Sequence, residues 1–384
     1  MPLHDLPHWL DPQACTVAGL DALVRTPTRP GDYPLASTIT QGVPVYDGVQ
    51  IRGACPAAQR ALMAEWCRVW QDGPGVLVLQ AAFDDLVVVD AATAEFHQLI
   101  AAERLTGTKA DHFAKPGAND RVWNALEKLC VAAPEVFAAY YGNPLLAWAC
   151  EAWLGPAYQV TSQINSVNPG GAAQMAHRDY HLGFLGPVQA ARYPAHVHRL
   201  SPALTLQGAV AHVDMPVESG PTLYLPHSQK YGPGYLVAGQ PDFQAYFDAH
   251  HVQLPLKKGD AVFFNPALMH AAGHNRSADI HRLANLLQVS SPFGRAMESV
   301  DRLRMCRALY PALRGMAAAE QASAVAACAE GYAFPTNLDR DPPLGGLAPE
   351  SQQALLLRAL QEDWPFAQLD AALQQQADKK PSYG

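Results

Sequence analysis

The sequence predicts a mainly β protein with helices packed around it, and three observations carry that prediction. Between Val160 and Ser290 short β-prone runs follow one another without long helices between them. Gly-Pro and Asn-Pro pairs punctuate the runs at irregular spacing. Proline, at 32 of 384 residues, suits a chain with many turns. Short strands in that arrangement point to a sandwich or barrel and not to a doubly wound parallel sheet.

In chain order, residues 1–50 are rich in Pro, Gly and Thr, lack periodicity, and read as an extended arm. Residues 56–71 switch to a helical period, with Leu62, Trp66, Val69 and Trp70 on one face. Residues 75–79 read as a short buried strand after a Gly-Pro-Gly turn. Residues 91–105 and 120–154 read as helices, the second broken at Pro134 and Pro144. The β region then offers runs at 160–167, 204–213, 222–225, 260–264 and 282–290. From about Ala296 the pattern is helical again, closing with a helix at 349–361 after a loop at 339–346. The expected division is an N-terminal arm and helix (1–74), a β domain with supporting helices (75–295) and a helical C-terminal extension (296–384).

Composition narrows the function. Lys and Arg number 27 against 35 Asp and Glu, a net charge of −8, which argues against nucleic acid or an anionic membrane as the main partner. No apolar run approaches the roughly 20 residues of a spanning helix. The opening Met1-Pro2-Leu3-His4-Asp5 lacks the basic and apolar stretches of a secretory signal. The 7 cysteines are odd in number, dispersed and free of CxxC pairs, so neither a disulfide framework nor a zinc knuckle is expected. A cytoplasmic setting is the simplest. GxSxG, GxxxxGK[ST] and HExxH motifs are absent, and Gly232-Pro233-Gly234 is no dinucleotide fingerprint.

Three segments inside the β region carry chemistry together. In Met175-Ala176-His177-Arg178-Asp179-Tyr180, an extended backbone puts His177 and Asp179 on one face. Residues 259–270 give a turn, an apolar strand and then His270, with His274 as a rival a few residues on. Arg282 follows His270 by twelve positions and opens the run at 282–290, with Arg276 as its competitor. Two imidazoles and one carboxylate on one face make the facial triad of non-haem Fe(II) oxygenases. Fe(II) with one Asp is net +1; a bound 2-oxoglutarate adds −2, and a guanidinium such as Arg282 neutralises the remaining far carboxylate bidentately.

His177-x-Asp179, the distal His270 and the downstream Arg282 resemble the phytanoyl-CoA dioxygenase (PhyH) family of Fe(II)/2-oxoglutarate oxygenases. Residues 75–83, the run Asn165-Ser166-Val167-Asn168-Pro169-Gly170 and the turn Glu218-Ser219-Gly220-Pro221-Thr222-Leu223 resemble further segments of that family. The chain departs from it at Leu225-Pro226-His227-Ser228-Gln229, where the family often has Pro-Gly-Ser-His. The resemblance covers roughly 75–295. It implies a double-stranded β-helix (jelly roll, cupin-like) core, iron ligation by His177, Asp179 and His270, and Fe(II), 2-oxoglutarate and O2 as cofactor and co-substrates. It also implies hydroxylation or desaturation with release of succinate and CO2. Asp179 itself separates this chain from related halogenases, which carry Gly or Ala there.

Gln163 and Asn165 share one face of the strand before the ligands and are expected to meet the 2-oxoglutarate carboxylates. Tyr180, Phe184 and Arg192 lie in or beside a Gly/Pro/His-rich stretch, 180–202, of the length of a specificity loop, and are expected to meet substrate. A small metabolite or natural-product intermediate is the expected substrate. An acyl-CoA stays open, although its phosphates call for a denser basic patch than Arg192, His196, His198 and Arg199 provide. A non-catalytic jelly-roll binding protein and a metal-dependent hydrolase or isomerase using the same triad are the alternatives. The oligomeric state is open.

Overall fold

In the computed structural model, residues 8–105, 118–179, 185–334, 336–343, 345 and 348–382 are described. Among them eleven strands form: β1 (Thr38–Thr40), β2 (Val43–Asp47), β3 (Val76–Gln80), β4 (Asn119–Val122), β5 (Gln159–Val167), β6 (Thr205–Ala211), β7 (Leu223–Tyr224), β8 (Val252–Gln253), β9 (Ala261–Phe264), β10 (His270–Ala271) and β11 (Arg282–Ser290). The larger sheet runs β1-β2-β3-β9-β6-β11-β5-β4, and the smaller runs β10-β7-β8. Only the β2–β3 pair is parallel. This is a cupin-like jelly-roll core with flanking helices.

The strands are apolar on both faces because both faces are covered. Leu77, Leu79, Ile164, Leu206, Val210, Phe263, Leu283, Leu287 and Val289 point outward into a core shared with Trp66, Trp70, Phe96, Phe137 and Tyr140 of the helices. The alternate positions, Val43, Val45, Val76, Val78, Ala209, Val262, Phe264 and Ala284, face inward with Met215, Tyr224 and Leu268. Each large side chain so buried contributes roughly 1.5–3 kcal/mol. Gly208 in β6 makes room for the Phe263 ring, since a Cβ there would stand 2.7 Å from Phe263 Cδ1.

The helix expected at 56–71 is present as Pro56–Gln71, starting on proline. The break points at Pro134 and Pro144 are likewise the first residues of Pro134–Tyr141 and Pro144–Leu154. Three expectations need correcting. The stretch read as an arm contains the helix Val17–Val24, capped by Thr16, and the strands β1 and β2, which extend the larger sheet. Val43-Pro44-Val45-Tyr46 is too short for periodicity to register, and pairing with β3 makes it a strand. The stretch expected to be helical from Asp120 begins with β4, paired to β5, and turns helical at Ala125–Ala132. Beyond 361 a further helix, Phe366–Asp378, returns Leu369 and Leu373 to the core.

His212, just past β6, ties the outer helices to the sheet. Its Nδ1 lies 2.8 Å from Thr93 Oγ1 and its Nε2 2.9 Å from Tyr140 Oη. Burial, with Lys258 nearby, pushes its pKa down to about 3. A base depressed on folding stabilises the fold above its unfolded pKa of about 6.5 and loses that contribution as pH falls toward the folded value. His227, pushed down to about 4 by burial, acts with the same sign. Urea unfolding should therefore lose stability between pH 6.5 and 4. His212→Phe should flatten that dependence by up to about 1.4 kcal/mol per pH unit; an unchanged slope would assign the acid sensitivity elsewhere.

Candidate metal centre

His177 and His270 are brought together by backbone pairing. They form an antiparallel bridge, with His177 N donating to His270 O at 2.9 Å and His270 N to His177 O at 3.0 Å. Residues directly opposite in such a pair point their side chains the same way, and the ring centroids lie 4.5 Å apart. Asp179, two residues on, shares that face, and its backbone N donates to Pro266 O. The segment 171–179 joins neither sheet as a strand, bonding to 266–275 through this bridge and single backbone contacts.

One nitrogen from each imidazole and one oxygen of Asp179 lie within 4.8 Å of one another, the only such group among the described residues. His177 Nε2 is 3.8 Å from Asp179 Oδ1, and His270 Nε2 is 3.5 Å from Asp179 Oδ2. The Nδ1 atoms face backbone carbonyls, Met175 O at 2.9 Å and Leu268 O at 2.8 Å. That contact places the ring proton on Nδ1 and leaves the Nε2 lone pairs aimed at the carboxylate. Burial, then the neighbouring His270, lowers the His177 pKa. Burial raises the Asp179 carboxyl, but in acid, where the rings carry a second proton on Nε2, hydrogen bonding and charge from His270 and His177, with the Gln207 amide, outweigh it and hold the group well below the usual carboxylate range. Two lone pairs and an anion converging on one point suit a divalent cation, and the mixed N/O set suits ferrous iron.

Gln207 on β6 was not singled out in the sequence. Its Nε2 donates to Asp179 Oδ2 and, at 3.0 Å, to Gln288 Oε1 on β11. The signal was present: a lone amide in the buried run Thr205-Leu206-Gln207-Gly208-Ala209 needs a partner. Arg282 is buried at the start of β11 on the inward face. Its Nη1 donates to Ser219 O and Gly273 O, each at 3.4 Å, and no carboxylate pairs with it among the described residues. Burial lowers its pKa to about 10, so it stays charged at neutral pH. The rivals His274 and Arg276 are exposed.

Gln163 and Asn165 face inward on β5, opposite Leu286 and Ala284. Gln163 Oε1 accepts from Arg121 Nη1 at 3.1 Å, and Arg121 on β4 is a second buried cation of this face that the sequence reading passed over. Asn165 Oδ1 is buried without a partner. Tyr180 and Phe184 lie outside the described residues. Arg192 is exposed in the turn after Pro187–Ala190, and the structure gives it no contact with the triad.

A protein-family model described as phytanoyl-CoA dioxygenase (PhyH) matches residues 52–284. No curated protein matches the chain. Among solved structures, the non-heme alpha-ketoglutarate-dependent epimerase SnoN of nogalamycin biosynthesis is similar at 21% identity, covering 62% of this chain and 85% of that one with a TM-score of 0.41. SnoN in complex with Fe3+, alpha-ketoglutarate and nogalamycin RO gives 20%, 64%, 88% and 0.44. The carbocyclase SnoK of the same biosynthesis gives 20%, 59%, 83% and 0.44.

Titration of metal-free protein with Co(II) should give one site per chain. Asp179→Ala should abolish it, Gln207→Ala should weaken it by about 10- to 100-fold, and His274→Ala should leave it unchanged. Equal binding by wild type and Asp179→Ala would remove the carboxylate from the site.

Proposed function

This chain belongs to the phytanoyl-CoA dioxygenase (PhyH) family and is an Fe(II)- and 2-oxoglutarate-dependent enzyme of the dioxygenase type, and from that premise we propose that it hydroxylates or desaturates an unactivated C–H bond of a small molecule. His177, Asp179 and His270 hold the iron, and Arg282 grips the far carboxylate of 2-oxoglutarate. One observation carries the reading: three ligand atoms converge within 4.8 Å, Gln207 on the inward face of the larger sheet bonds the carboxylate among them, and the same face carries a buried guanidinium with no ion-pair partner among the described residues. Residues 75–295 are the catalytic domain in this reading, buttressed by 1–74 and 296–384.

Bound iron with 2-oxoglutarate and O2 supplies the oxidising power; the co-substrate leaves as succinate and CO2, one oxygen atom entering succinate and the other entering the substrate or leaving as water. The protein binds, orients and excludes water. With iron at +2, Asp179 at −1, 2-oxoglutarate at −2 and Arg282 at +1, the charges cancel, which is what a dry site requires. Arg282 can meet a carboxylate through two parallel N–H bonds, a geometry that Lys cannot reproduce. Asn165 and Gln163 line the co-substrate's path, while Leu286, Val262 and Phe264 supply apolar walls. Tyr180, Phe184 and Arg192 contact the substrate, a metabolite or natural-product intermediate in preference to an acyl-CoA.

Anaerobic addition of Fe(II) and 2-oxoglutarate tests this directly. The wild type should develop the weak visible charge-transfer band of the chelate, and His177→Ala should not. Arg282→Ala should need roughly 10- to 100-fold more 2-oxoglutarate, the loss of a charge-assisted hydrogen bond. Arg276→Ala should behave as wild type. Iron binding without a band would remove the co-substrate and leave a binding protein or a hydrolase in its place.

A further inference from the structure

We infer that Arg178 is a positioning residue, the pivot of a clamp through which the N-terminal helix Val17–Val24 and the loop 225–234 set the geometry of the metal ligands. The inference rests on the metal reading above and adds to it what holds the ligands apart from the metal itself. Arg178 stands between His177 and Asp179, so on an extended backbone its side chain points away from the centre that its neighbours face. That side chain is buried at 8% exposure and has no ion pair among the described residues. Nη1 donates to Tyr231 O at 2.9 Å, Nη2 donates to Ser228 O, and Cζ lies 5.8 Å from the Tyr235 ring centroid. Burying a cation without a counterion is costly, and fixed carbonyls and an aromatic face offset it only in this one geometry.

Gly234 completes the seat. A Cβ at Gly234 would fall 2.0 Å from Arg178 Cζ, so any side chain there expels the guanidinium. The loop holds the second ligand segment as well. Ser228 Oγ accepts from Met269 N at 2.8 Å, and Leu225 N donates to Met269 O at 2.9 Å, one residue before His270. One loop therefore grips both sides of the His177–His270 pair.

The N-terminal helix pins that loop from behind. Tyr231 Oη accepts from Thr16 N at 3.1 Å and donates to Thr16 O at 3.2 Å. Thr28 Oγ1 lies 3.1 Å from His227 Nε2. Leu20 shares one buried cluster with Tyr231, Ala176, Met269 and Ala271, the neighbours of the ligands. Residues 16–28 lie before the matched family region at 52–284.

The experiment is Co(II) titration of the full-length protein, reading dissociation constant and visible d–d spectrum, with near-UV circular dichroism of the metal-free form to establish folding. Arg178→Met and Gly234→Ala should each weaken Co(II) binding at least 10-fold and change the spectrum, and Arg178→Lys should recover part of the loss. In the Arg178→Met background, Gly234→Ala should add nothing, because the group it would expel is gone. Tyr231→Phe, which keeps the carbonyl but loses both Thr16 bonds, should shift the constant in the same direction; it carries the test where Arg178→Met fails to fold. A folded Arg178→Met protein with wild-type constant and spectrum overturns the positioning role, and full additivity of the two substitutions overturns the contact. A wild type that binds no Co(II) overturns the metal reading and this inference with it.

Discussion

Three hydrogen-bond acceptors aimed at one point cannot satisfy one another, and the structure around His177, Asp179 and His270 is arranged to hold them there. Two Nε2 lone pairs and a carboxylate repel at the separations observed, 3.5 and 3.8 Å. The antiparallel bridge fixes the two histidine backbones, carbonyls at Met175 and Leu268 fix their rings, and Gln207 holds the second carboxylate oxygen. None of these contacts relieves the repulsion; each prevents the side chains from turning away from it. A cation resolves what the protein leaves unresolved, which is how metal binding becomes coupled to local order.

The same logic extends along the inward face of the larger sheet. Most of that face is apolar, so every polar group on it stands out as needing a partner. Gln207 and Gln288 serve the carboxylate ligand; Gln163 and Arg121 serve each other; Asn165 Oδ1 lacks a hydrogen-bond partner, and the Arg282 guanidinium, bonded to two carbonyls, lacks a counter-charge among the described residues. Two-residue periodicity connects these observations. Arg282, Ala284, Leu286 and Gln288 are on one face of β11 because Leu283, Asn285, Leu287 and Val289 are on the other. The register that buries the outer core thereby delivers Arg282 to the inward face.

The sequence made the grouping of His177, Asp179 and His270 and the strand start at Arg282 legible because each sits beside a feature with a clear pattern: the apolar strand before His270, the run that Arg282 opens, the i, i+2 spacing of His177 and Asp179. The jelly-roll core and the helix at Pro56–Gln71 were legible for the same reason. Gln207, Arg121 and Arg178 were not, since their meaning depends on which strands become neighbours. Nothing near Arg178 in sequence announces that Ser228 and Tyr231 will present carbonyls to it. β1 and β2 escaped because segments of three and five residues have too few positions to show a period, and only pairing, β1 with β2 and β2 with β3, makes them strands.

The matched family region and the physical unit are not the same object. The match ends at 284, inside β11, the strand that pairs with both β5 and β6 and so occupies the middle of the sheet. A sheet cannot end there, because Leu287 and Val289 would lose the core they face. That core is completed by Met305, Tyr310, Leu356 and Leu369, all from the C-terminal helices. At the other end, β2 pairs with β3 in parallel, and Val43 and Val45 close the inward cluster beside Phe264, whose ring packs 4.8 Å from that of His270. The additions on both sides are therefore parts of one folding unit, and whatever substitutions they accumulate reach the metal centre through packing.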